Sequence, residues 1–157
     1  NKYKVQFEKI FFSLPKYSKI LLTIGEIDCR LDSGLLKVKK KYPEKNLLQL
    51  IKNTISDYLN YLIDINSSSH NEIIIQGIPC PNIDINKIDK KEITELINLI
   101  KAFNRKLYFE TKKRDFSFLD VNKLTDRGDG LSNLIWNTDR YHLTPEAVMK
   151  AFDEHLY

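Results

Sequence analysis

The apolar positions of the chain fall into two alternating rhythms. Lys19-Ile-Leu-Leu-Thr-Ile24 is a continuous apolar run that stops at Gly25. It predicts a strand buried on both faces, as strands of parallel sheets are. Leu47, Leu50, Ile51, Ile55, Tyr58, Leu59 and Leu62 then recur at helical spacing, which predicts an amphipathic helix from about Pro43 to Ile63. After the polar break Ser67 to His70, residues Ile73 to Ile78 form a second apolar run, ended by Pro79 and Pro81. Ile93, Leu96, Ile97, Ile100, Phe103 and Leu107 mark a second long helix, and Phe116 to Val121 a short third strand. A loop of roughly twenty residues follows, longer than compact domains normally carry without a function for it. Thr144-Pro145 opens a last helix, with Thr144 as N-cap, Pro145 in the first turn and Leu143 placed to staple onto Val148. The early segment Tyr3 to Tyr17 reads as a further helix, broken near Pro15.

Strands alternating with helices predict βαβ units, right-handed crossovers and a three-layer α/β/α arrangement around a parallel sheet. The chain has 157 residues, enough for one domain and too few for two. Three parallel strands leave the first with a raw apolar edge, an association hazard. Another strand is therefore expected beside it, supplied by upstream sequence or by self-association with a second chain.

Composition changes this picture little. Hydrophobic residues make up 42% and charged residues 29%, a globular balance. The net charge of +4 is too mild to imply nucleic acid. The basic runs Lys37 to Lys41 and Lys112 to Arg114 have no interleaved stacking platform and read as solvated faces. No apolar run approaches the ~20 residues of a membrane helix, and Asn1 to Lys9 lacks the apolar core of a signal peptide. Two cysteines, Cys29 and Cys80, are too few for a disulfide framework, so a reducing, cytoplasmic setting is expected. They lack the partners a metal site needs, since neither His70 nor His155 has suitable spacing.

Ligands of open parallel sheets bind beyond the carboxyl ends of the strands. The residues to inspect are therefore Gly25 to Arg30, Gly77 to Pro81, and the long loop leading to Asp139-Arg-Tyr-His142. Histidine serves as a general base near neutral pH, and a carboxylate on its far nitrogen fixes its tautomer. Asp139 and His142, three residues apart before a helix, have the types and spacing for that pair. A loop histidine satisfied by a nearby aspartate has the same spelling. Glu26, Asp28 and Arg30 form a charged cluster after the first strand. Either Arg30 binds a polar or anionic part of a substrate, or the cluster is an ion-pair network tying loops together. Tyr141 and Trp136 flank the same place, to pack on a ligand or to anchor the loop.

The order of these blocks, and above all Asp139-Arg-Tyr-His-Leu-Thr-Pro-Glu-Ala147, resembles the back part of the SGNH (GDSL-like) hydrolases. The resemblance covers the chain from about Lys19 onward. It implies a flavodoxin-like α/β domain over residues 1–157, truncated at its N-terminus and lacking its first strand and helix. His142 would be the catalytic base and Asp139 its orienter, with Gly25, Glu26, Asp28, Arg30 and Tyr141 lining the substrate pocket. Gly25 to Asp28 matches the family block Gly-x-Asn-Asp, but the family's oxyanion-hole Asn falls on Ile27. The Gly-Asp-Ser block with the nucleophile has no counterpart in the chain. The implied activity is that of a serine esterase or acyl-transfer relative needing no metal or cofactor, with carbohydrate O-acyl or other small esters as substrates. A non-catalytic binding domain that keeps the fold is the alternative, favoured by Ile27. A nucleotide-binding domain would need a Gly-rich phosphate loop, which the sequence lacks.

Overall fold

The computed structural model describes residues 2–157. Three parallel strands, β1 (Lys19–Thr23), β2 (Glu72–Gln76) and β3 (Ser117–Leu119), form one sheet in the order β1-β2-β3. Leu21 pairs with Ile74, and Ile74 with Ser117. Helices cover both faces, so the domain is a three-layer α/β/α sandwich. On one face lie α1 (Lys2–Ser13), α2 (Gly34–Lys41), α3 (Leu47–Asn66) and α4 (Lys90–Lys112). Their apolar stripes close on Ile73, Ile75 and Phe118. The other face carries α5 (Val121–Thr125) and α6 (Pro145–Glu154), packed on Ile74 and Leu119. Alternate β2 side chains thus enter opposite cores, as strand geometry requires.

The expected elements are present with shifted ends. The helix read from about Pro43 starts at Leu47, where the Asn46 side chain accepts the Gln49 amide and caps it. The run Lys37 to Lys41 belongs to a separate short helix, α2. Its lysines are partly engaged, Lys39 with the Pro43 and Lys45 carbonyls and Lys40 with Glu92. The third strand stops at Leu119 because Asp120 turns the chain, its carboxylate accepting the Lys123 amide and capping α5. Thr144 caps α6 by accepting the Ala147 amide. Leu143 and Val148 pack against the same small core.

The two sheet edges differ. The C-terminal tail closes the outer edge of β3, with Tyr157 exchanging backbone bonds of 2.7 and 2.8 Å with Phe118. Along β1, among the described residues, backbone pairing is with β2 alone.

Candidate active site

Three segments meet beyond the carboxyl end of the sheet: the exit from β1, the exit from β2, and the loop before α6. Gly25 makes the first exit possible. Its φ is +81°, and a Cβ there would lie 2.5 Å from the Phe103 ring. A side chain would be strained by both conformation and space. The chain then makes a one-turn 3-10 helix, Ile27–Cys29, with Cys29 buried beneath it.

The second exit is held by a residue the sequence reading passed over. Asn104 lies on the buried stripe of α4. Its Oδ1 accepts the Ile78 amide at 2.7 Å, and its Nδ2 donates to the Ile78 carbonyl at 2.8 Å. Asn122 of α5 donates to the same carbonyl at 3.1 Å. The available signal was a polar residue between Ile100 and Leu107 at core spacing.

The long loop is tied down along its length. The Asp126 carboxylate accepts the amides of Gly128 and Gly130. Ser132 donates its amide to Pro81, and the loop ends in a small hairpin closed by pairing of Asn137 with Leu143. Asp139 to His142 form its tip. Asp139 Oδ1 accepts the amides of Tyr141 (2.7 Å) and His142 (2.8 Å), while Oδ2 lies 2.7 Å from His142 Nδ1. These bonds, led by the Tyr141 amide and then the imidazole, hold the Asp139 carboxyl down to about 2. The tautomer that donates from Nδ1 leaves Nε2 with its lone pair. His142 borders a cleft of about 640 Å³ together with Thr23, Gly25, Glu26, Asp28 and Tyr58. The pair stands open to solvent, with His142 and Asp139 side chains 68% and 54% exposed.

The charged cluster divides. Arg30 donates from Nε and Nη2 to the two Glu26 oxygens at 2.7 and 2.6 Å, a bidentate fork. Its guanidinium lies 4.1 Å from the centre of the Tyr141 ring, and Arg140 stands over the same ring at 5.3 Å. Glu26, Arg30 and Tyr141 therefore tie the β1 exit to the hairpin tip. Asp28 stays apart from this chain of contacts. Burial first, and the Glu26 charge second, raise its carboxyl above the usual range. Trp136 is half-buried, and its carbonyl accepts the Thr144 amide.

Cys29 and Cys80 are buried free thiols facing one small recess beside Tyr141. Burial pushes Cys80 up to about 12 and Cys29 well above its usual value, so both are protonated at neutral pH. Among the described residues, no three His, Cys, Asp or Glu side chains are grouped to hold a metal ion. Among them also, no helix is long and apolar enough to cross a membrane.

No family model matches the chain, and no curated protein matches it. Among solved structures it is similar to a phospholipase A1 from Streptomyces albidoflavus NA297, at 15% sequence identity and a TM-score of 0.48. The likeness covers 86% of this chain and 66% of that one, so the chain spans slightly less than two thirds of that protein.

Proposed function

We propose that this domain supplies the base and its orienter to an SGNH-type ester hydrolase, with the nucleophile carried on a strand laid along the free edge of β1. The observation that carries this reading is the His142–Asp139 pair, bonded at 2.7 Å at the mouth of a cleft that also includes the β1 exit. A strand parallel to β1 would end beside Gly25, where a serine at its tip would face His142 Nε2. The serine Oγ attacks the ester carbonyl while His142 takes its proton. The proton then passes to the leaving alkoxide as the tetrahedral intermediate collapses to an acyl-serine. Water repeats the sequence and releases the acid. Asp139, held far below neutrality, stays ionised and stabilises the imidazolium.

The exposure of the pair fits the same arrangement, because charge stabilisation of this kind works best where water is excluded. A segment closing the β1 edge would also cover the cleft. Small carbohydrate O-acyl esters are the substrate class, on the resemblance of the Asp139 to Ala147 block.

Ile27 favours a second reading. It stands where the family places an oxyanion donor, and the residue is 62% exposed. A binding domain that retains the fold has no use for that donor.

The test is N-terminal sequencing and intact mass of the natural protein, followed by p-nitrophenyl acetate turnover. An upstream strand ending in Gly-Asp-Ser, with turnover falling about 10⁴–10⁶-fold in His142→Ala, is the expected result. Absence of that strand, or turnover indifferent to His142, would overturn the esterase in favour of the binding domain.

A further inference from the structure

A second cleft lies on the other side of α4 from Gly25, between that helix and the tail-covered edge of β3. Its volume is about 390 Å³, within the range of small-ligand sites. The floor is the buried Phe118 ring and the amides of Asn104 and Asn122, both fixed on Ile78. Tyr108 forms one wall, meeting Phe118 edge-on at 5.6 Å and Tyr157 at 6.3 Å. Phe109 is half-exposed at the rim. These rings are locked against one another, so the apolar surface is present before any ligand arrives.

The charge is placed with less economy. Lys101 and Arg105, one helical turn apart, both border the cleft. Neither is within ion-pair distance of a carboxylate among the described residues. At the far end of the same helix and just past it, Lys106, Lys113 and Arg114 all gather on Glu110. Asp120 is the one carboxylate in the lining, and it is engaged with the Lys123 amide at 3.1 Å. Lys101 and Arg105 therefore leave positive charge available for an anion at the cleft, and Lys123 Nζ lies close by on Tyr157 Oη at 3.4 Å.

We infer that this cleft binds a small aromatic carboxylate, with Arg105 and Lys101 on the carboxylate and the ring on Tyr108 and Phe109. The planar guanidinium fork matches a carboxylate, and the tyrosine and phenylalanine faces match a flat apolar ring. The site is independent of His142 and of the proposed ester chemistry.

Benzoate titrated into the ¹⁵N-labelled protein at low salt tests it, with acetate and inorganic phosphate as comparisons. Saturable shifts are expected at residues 101–109, 118–122 and 157. Acetate should bind about tenfold more weakly, having no ring, and phosphate no more tightly than acetate. Arg105→Gln and Lys101→Gln should each weaken benzoate about tenfold, the loss of one charge-assisted contact. Both side chains are exposed, so neither change endangers folding. His142→Ala should leave the affinity unchanged. Acetate or phosphate as tight as benzoate would mean that no ring is read. Shifts that never saturate, that map elsewhere, or that survive the Arg105 change would equally overturn the site.

Discussion

Asp139 makes three hydrogen bonds with two oxygens, and the strongest influence on it is a backbone amide rather than the histidine. The hairpin tip would therefore orient the carboxylate even without the imidazole. The carboxyl is held at about 2, below the ordinary 3.8, so its ionised form is favoured by the folded tip. That contribution is fully present above the ordinary value and disappears as pH falls through about 2. Followed by carboxyl ¹³C NMR, Asp139 should titrate near 2 in the native chain. In His142→Ala its midpoint should rise only part of the way to 3.8, because the amides of Tyr141 and His142 still donate. A native midpoint near 3.8 would mean that the tip is not held as described.

At the scale of elements, the site depends on loops fastened to helices by single polar residues. Asn104 is the clearest instance, since Ile78 is buried and both of its backbone groups end on that one amide. Asn104→Ala leaves the Ile78 amide without a partner, the carbonyl keeping Asn122, and should cost about 1–3 kcal/mol in denaturant unfolding, the cost of stranding a buried polar group. A loss under about 0.5 kcal/mol would mean that solvent or a shifted loop replaces the bonds. This fastening was not legible in the sequence, whereas much else was. β1 and β2 follow from continuous apolar runs, α3 and α4 from helical periodicity and α6 from its Thr144-Pro145 cap. The expected burial of β1 on both faces is not met, because Ile20, Leu21 and Leu22 at the sheet edge are only half-buried. α2 offers only the adjacent pair Leu35 and Leu36 to the core, ahead of five residues that include four lysines, and so gives no period. α5 is a short helix after Asp120, concealed by an apolar run that reads as strand. Asp139 and His142 were legible as a pair because only two residues lie between them. The stacking of Arg30 on Tyr141 joins positions far apart in sequence and emerges only from the fold.

At the scale of the whole molecule, the sheet is closed on one side and open on the other. The tail gives backbone partners to Phe118 of β3 and to Asp120 just beyond it, while β1 presents Ile20, Leu21 and Leu22 half-buried beside an edge that is unpaired among the described residues. Nearby, α1 leaves Val5, Ile10 and Phe12 more than half exposed at 63%, 54% and 56%. An edge of this kind is normally blunted by charge, proline or a covering element. Here Lys19, the one charge on β1, is already paired with Glu72 at 3.0 Å. Hydrogen exchange reports the state of this edge directly, because alternate β1 amides point away from β2. In this span alone and dilute, those amides should exchange orders of magnitude faster than the central β2 amides Ile73 to Ile75, which lie inside the sheet. In a longer natural protein carrying the nucleophile strand, they should become as slow as β2. If they are slow already in this span, and their protection falls on dilution together with the mass in solution, a second copy occupies the edge instead. The His142 cleft would then face a copy of the same chain, and the nucleophile would have to come from a segment outside the sheet.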